Sequence, residues 1–307
     1  MTNYHETPEN FSNFSNCFKS NDVLFDLLNE SNTKIVFYDT CSFRYHSNLN
    51  ANERKAIVDY IKSNNYLLIF ITTIVMELGQ DSGIYERVYV DYFKELNNAQ
   101  IKMFFVNEEK LYDNARNVYP IDTIKEQLRH AVYRLKRPKS IGELAHNFYN
   151  DFFFTNKDEQ NVVDRFSISD FFVNARKNKT HDDDLGEQMI FLCVYLLSQI
   201  PPIYKNKIYV FTDDKGAAMI FKSAYCNCPR NHTSPRIFNI IKIVEELYRT
   251  NIIADKSLLE SIIKSVKGNN IIISYCTELS NKIETKNISC NELIEEITKL
   301  HSLNILS

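Results

Sequence analysis

Glycine and proline are scarce, at 6 and 7 residues in a chain of 307. So few breakers argue against flexible linkers. Neither a Gly-x-Gly-x-x-Gly stretch nor a Walker-type loop occurs, which excludes the usual Gly-rich phosphate cradles. There is no excess of basic charge: the formal net charge is −3. Contact with nucleic acid would therefore need a local patch. Long apolar runs are also missing. The longest, 66–76, is too short to span a bilayer, and no membrane association is expected. The seven cysteines (Cys17, Cys41, Cys193, Cys226, Cys228, Cys276 and Cys290) are odd in number and scattered, with no signal peptide before them. That pattern fits reduced thiols in a cytoplasm better than a disulfide framework. What remains is an ordinary globular composition, 44% hydrophobic and 24% charged, long enough for one large domain or two small ones.

Periodicity divides the chain into three parts. Residues 1–33 read as a polar, loosely docked arm with Asn-Phe-Ser repeats, followed by a short helix over 22–30 capped by Asn21 or Asp22. Residues 34–250 alternate apolar strands (34–39, 66–71, 101–106, 208–212, 236–238) with helices (51–64, 73–80, 85–98, 184–199, 239–249), an α/β arrangement. Within it, 108–180 holds no convincing strand, is helical by pattern, and reads as an inserted cap. Residues 251–307 form a mostly helical extension. Its capping-box patterns are Ser257-x-x-Glu260 and Ser289-x-x-Glu292. The segment 271–275 is either an extra strand or part of a helix.

Four stretches carry acids where chemistry is expected. The strand 34–38 runs into Asp39. Ile71-Thr-Thr-Ile-Val-Met-Glu77 places an acid early in a helix. Asp182-Asp-Asp-Leu-Gly-Glu187 opens an apolar helix, with Asp183 or Asp184 on the same face as Glu187. The strand 208–212 runs into Asp213 and Asp214. Each acid alone has a bland reading as a helix cap or first-turn residue. Glu77 fits it least, because its apolar neighbours would bury it, and a buried carboxylate needs a positive partner. Taken together, carboxylates at the ends of parallel strands converge on one crevice, and magnesium or manganese, which prefer oxygen ligands, would relieve their repulsion.

The four stretches together resemble the PIN-domain nucleases, the broad group that includes flap-endonuclease-like enzymes. The matches are Phe37-Tyr-Asp39-Thr40-Cys-Ser42, Thr72-Thr-Ile-Val-Met-Glu77-Leu, Asp184-Leu-Gly186-Glu187 and Phe211-Thr212-Asp213-Asp214-Lys. They agree in order and type and span 34–216. The resemblance implies a three-layer α/β/α sandwich around a mostly parallel sheet. It also implies metal-dependent hydrolysis of phosphodiester bonds, in RNA more than in DNA. The candidate catalytic residues are Asp39, Glu77, Glu187 and Asp214. Candidate ligands of Mg2+ or Mn2+ are these four with Asp184 and Asp213, the family's Thr-x-Asp spacing favouring Asp214 over Asp213. Thr40, Ser42, Asp183 and Thr212 are candidates to orient the carboxylates. The family's habits extend the expectation to the effector of a bacterial toxin or defence system, with a protein partner such as an antitoxin, and to a homo-oligomer.

Nucleic acid would meet a basic run holding Arg129, Arg134, Lys136, Arg137 and Lys139, with Tyr133 inside it for stacking. Lys179, His181 and Lys215 flank the acids and could also meet phosphate. A solvated helix face is the competing reading of the run. Cys226-x-Cys228 with His232 has no standard zinc spacing and lacks a fourth ligand. Cys41 has no His in a supporting pattern and reads as a small packing residue. A haloacid-dehalogenase-type phosphatase would want an acid two residues after Asp39, where Cys41 stands. The remaining alternative is a catalytically weak scaffold of the same fold that binds nucleic acid or protein.

Overall fold

The computed structural model describes residues 5–30, 32–79, 82–135, 168–180, 184–200, 207–225, 235–276, 283–299 and 304–306. Six strands form the central sheet: β1 (Phe18–Lys19), β2 (Lys34–Tyr38), β3 (Tyr66–Ile71), β4 (Met103–Val106), β5 (Lys207–Phe211) and β6 (Arg236–Phe238). Their order is β1-β4-β3-β2-β5-β6, and every neighbouring pair is parallel. Parallel sheets need cover on both faces. That cover is present here, because Ile35, Val36, Phe37 and Tyr38, which point alternately to opposite faces, are all fully buried.

One face is aromatic. Tyr38 and Phe70, with Phe211 beside Tyr38, meet Phe43 of helix α2 (Thr40–Asn48), and Phe70 also meets Phe93 of helix α5 (Arg87–Asn98); α1 (Asn21–Leu28) precedes α2, and α3 (Ala51–Ser63) and α4 (Thr72–Gly79) lie between α2 and α5 in sequence. A second group consists of α6 (Glu108–Ala115), α7 (Ile121–Arg134), α8 (Ile168–Lys177), α9 (Leu185–Leu197) and α10 (Lys215–Tyr225). α9 is its axis, with every residue but Glu187 buried, and both α6 and α7 pack on it. Hence the described parts of the expected cap, 108–135 and 168–180, contribute Leu111, Tyr112, Leu128 and Phe172 to the main core.

Two expectations change. The N-terminal arm is docked, not loose. Phe14 is fully buried, stacked on Tyr85 and Phe93, and β1 extends the sheet beside β4. The phenylalanines at 11, 14 and 18 do this by touching one another inside an otherwise polar sequence. The helix after the arm is capped by Ser20, ahead of both expected caps, Asn21 and Asp22.

The 34–250 unit ends with α11 (Ile240–Arg249), and the extension contains α12 (Lys256–Lys267) and α13 (Cys290–Thr298). It also contains a three-stranded antiparallel sheet, β8-β7-β9, from β7 (Asn270–Cys276), β8 (Ile283–Ser289) and β9 (Asn304–Leu306). Segment 271–275 is thus a strand. The Ser289–Glu292 capping box forms as expected, whereas α12 is capped by Asp255 in place of Ser257.

The chain runs β2, β3, β4 outward along the sheet, then returns to place β5 on the other side of β2. The carboxyl ends of β2 and β5 therefore flank the topological switch point, where open α/β sheets leave a crevice.

Candidate functional site

Asp39 follows β2 directly and is buried. It caps α2, its Oδ1 accepting from the Thr40 amide at 2.8 Å. Its Oδ2 accepts from the Thr212 hydroxyl at 2.7 Å and from the Cys41 thiol at 2.9 Å. The bland and the functional readings of this residue therefore coincide in one side chain. Burial raises its carboxyl to about 6, with the Cys41, Thr212 and Thr40 bonds pulling down and the Glu77 charge pushing up.

Glu77 lies in the last turn of α4, not early in the helix as expected. β3 passes into α4 at Thr72 with no loop between them. Its Oε2 accepts from the Thr40 hydroxyl at 2.5 Å, and its Oε1 from the Gly186 amide at 3.0 Å. The positive partner that burial demanded is Lys179, at 2.9 Å from Oε1 and with its side chain 4% exposed. Lys179 is accordingly committed to an acid rather than presented to phosphate. A Cβ on Gly186 would sit 2.5 Å from Glu77 Oε2 and 2.6 Å from Oε1, so the Gly-Glu step that opens α9 leaves space for this carboxylate.

Glu187 projects from the first turn of α9. Its carboxyl is pushed up to about 9, first by burial, then by the charges of Asp39, Glu77 and Asp214. Glu187 thus feels the other three sequence-identified acids. Asp184 stands at the N-cap position of α9, its carbonyl accepting from Gln188, without a side-chain capping bond.

Asp213 and Asp214 face different ways. Asp214 is exposed and turns back onto α10, Oδ1 accepting from the Ala217 amide at 3.0 Å, while its own amide donates to Thr212 at 3.1 Å. The Asp213 carboxylate is fully enclosed. It accepts from the Ser42 hydroxyl at 2.8 Å, from the Ile240 amide at 3.1 Å and from Lys267, also at 3.1 Å. Thr40, Ser42 and Thr212 therefore each hold a site carboxylate. Asp183 and His181 lie outside the described residues, as do Lys136, Arg137, Lys139, Cys226, Cys228 and His232.

The described part of the basic run is largely engaged with the protein. Arg129 pairs with Glu126 on its own helix, Arg134 lies 5.9 Å from the ring of Tyr195, and Lys125 is buried. Tyr133 is exposed, and so is Lys215 beside Asp214. Arg176, a few residues before the 182–187 acidic stretch, is internal. Its guanidinium, 1% exposed, bonds Glu6, Glu108 and Glu109. Glu108 in turn accepts from the Thr73 amide and hydroxyl at the start of α4. Burial raises the Glu108 carboxyl against the opposing pull of Arg176.

Sequence reading missed Cys41 as a donor to Asp39, Lys267 as the partner of Asp213, and the anchoring role of Glu108. Cys41 was visible only as a neighbour in sequence. Lys267 gave no signal at all, being 54 residues from its partner.

Among the described residues no three His, Cys, Asp or Glu side chains converge closely enough to hold a metal ion. In this arrangement Asp39, Glu77 and Asp213 are each turned onto the chain's own hydroxyl, amide, thiol or ammonium donors. No described helix is long and apolar enough to cross a membrane. Compared with known proteins, the chain matches no family model, no curated protein and no solved structure.

Proposed function

We propose that the chain is a divalent-metal-dependent nuclease of PIN-like type that hydrolyses phosphodiester bonds in RNA. The observation carrying this reading is Glu187 at the switch point, pushed up to about 9 first by burial and then by the charges of Asp39, Glu77 and Asp214. Carboxylates backed by the Thr40 and Thr212 hydroxyls are the oxygen donors a hard cation prefers, and closing on one would require Asp39 and Glu77 to turn from the chain's own donors. Asp39, Glu77, Glu187 and Asp214 would hold Mg2+ or Mn2+, with Asp184 at the rim. Asp213 serves as an internal support. Such an ion supplies an activated water and charge stabilisation at the phosphate.

The chain's own residues set the stage. Thr212 and Thr40 fix Asp39, and Thr40 with the Gly186 amide fixes Glu77. Lys215, exposed next to Asp214, is placed to meet phosphate. Toxin or defence effector, cytoplasmic residence, a protein partner and homo-oligomer formation belong to the same proposal and rest on the motif resemblance alone.

A second reading, a catalytically weak scaffold, is favoured by one observation: Lys179 already neutralises Glu77 from within the protein. The two readings separate in one experiment. Single-stranded RNA, structured RNA and single-stranded DNA are incubated with manganese, magnesium or EDTA, using wild type and Asp39→Asn, while melting is followed with and without manganese. A nuclease cuts only with metal and gains thermal stability from it, and Asp39→Asn loses both. Equal melting of the two proteins with manganese, and no cutting by either, would leave the scaffold.

A further inference from the structure

Asp213 is an unusual acid to find beside a crowded carboxylate site, because it is fully enclosed and yet carries an ammonium partner from far along the chain. That partner is Lys267, the last residue of α12 in the C-terminal extension. Its Nζ lies 3.1 Å from Asp213 Oδ1 and donates to the Asp213 carbonyl oxygen at 3.0 Å. One ammonium therefore grips both the side chain and the main chain of a single residue. Gripping two points on one residue fixes the orientation of the 213–214 peptide as well as the position of the side chain.

The remaining contacts show what that peptide controls. On its N-terminal side the Asp213 amide donates to Cys41 Sγ at 3.3 Å, and Thr212 holds Asp39 Oδ2. On its C-terminal side Asp214 turns towards α10, and its charge opposes ionisation of Glu187. Asp213 Oδ2 reaches Ser42 in α2, and Oδ1 reaches the start of α11. The loop 212–214 is thus the joint at which β2, β5, α10 and α11 meet, and Lys267 is its only contact from α12 among those described.

α12 is itself held firmly. Buried Glu53 of α3 accepts from the Ser261 and Ser265 hydroxyls on α12. The Glu260 carbonyl accepts from the Cys290 thiol. The extension therefore delivers Lys267 from a fixed base.

We propose that Lys267 is a positioning residue for the acidic site: by clamping Asp213 at two points, the C-terminal extension sets where Asp214 and Thr212 stand relative to Asp39 and Glu187. This rests on the nuclease reading for its consequence, though not for the clamp itself. By holding Asp213 with one lysine, the extension becomes part of the site.

The test uses the full chain as wild type, Lys267→Arg, Lys267→Met and the charge-neutral pair Asp213→Asn/Lys267→Met. The pair serves if the single methionine variant does not fold, because it leaves no buried charge unpaired. Three quantities are read: amide hydrogen exchange at 213–218, manganese affinity from the electron paramagnetic resonance signal of free Mn2+, and kcat and KM for RNA cleavage. The methionine variants should exchange at least tenfold faster over 213–218. They should bind manganese about tenfold more weakly and lose kcat by a similar factor with KM within twofold, and arginine should restore most of each.

Unchanged exchange in the methionine variants overturns the clamp, whatever the activity does. Faster exchange with wild-type manganese affinity and kcat overturns the positioning role. A wild type that neither binds manganese nor cleaves any substrate removes the nuclease reading instead, and exchange alone then decides the clamp.

Discussion

Adding one methyl group at Gly186 tests the geometry of the site without requiring any activity. The Cβ of Gly186→Ala would stand 2.5 Å from Glu77 Oε2, 2.6 Å from Oε1 and 2.8 Å from Cδ. No such contact is tolerated, so either α9 or Glu77 must move. Glu77 has little freedom, being held by Thr40, Lys179 and the Gly186 amide itself. Overpacking of this kind costs about 1–3 kcal/mol. Losing the amide bond to a charged acceptor costs roughly 1.5–3 kcal/mol more. Alanine returns about 1 kcal/mol as the better helix former. The net loss is about 1.5–5 kcal/mol, equivalent to a fall in Tm on the order of 2–8 °C for a chain of this size.

Gly79 is the internal control. A Cβ there meets Tyr85 at 3.6 Å, an ordinary contact, so Gly79→Ala should stay within about 1 kcal/mol of wild type. The measurement is thermal and urea unfolding of both variants without metal. In a Glu77→Ala background the obstruction is gone, and Gly186→Ala should then cost less than about 1 kcal/mol, a coupling typical of residues in contact. A Gly186→Ala protein that melts at or above wild type, or that loses as much stability with Glu77 absent as with it present, would refute the close approach of α4 and α9.

Two further outcomes follow from buried charge. His46 is fully enclosed, its Nδ1 bonded to the Tyr38 hydroxyl and its Nε2 without a partner among the described residues, and burial holds the imidazole down at about 4. The unfolded chain takes up that proton near 6.5, so the His46 contribution is complete above about 6.5 and is lost as pH falls towards 4, a span of about 3 kcal/mol. Urea unfolding at pH 7.5 and 4.5 should show a shallower acid loss in His46→Gln, and equal losses would refute the assignment. At the second site, Arg176→Met strands the enclosed Glu108 and should cost about 3–5 kcal/mol. Adding Glu108→Gln should recover most of it, whereas a double variant no more stable than the single one would show that the pair does not carry the cost.

The sequence alone determined the features that depend on neighbours in the chain. Apolar runs at 34–39, 66–71 and 208–212 have to be strands covered on both faces, and the acids at the ends of the first and last of them have to stand at one edge of a parallel sheet. Glu77, set among Ile, Val, Met and Leu, had to find a positive partner, but nothing local named Lys179. The helix Thr40–Asn48 was not legible, because its sequence is polar and weakly patterned. It exists because Asp39 caps it and Phe43 reaches the aromatic face of the sheet. Tertiary structure decided which charges meet. Lys179, which in sequence only flanks the acids, and Arg176 are internal because β3 and β4 bring Glu77 and Glu108 to the same edge. Lys267 became part of the site because α12 is fastened across α3. The docking of Phe14 likewise depends on Tyr85 and Phe93, far along the chain. Periodicity is a property of a few consecutive residues, whereas the pairing of buried charges depends on which strand lies beside which, and only the folded chain fixes that.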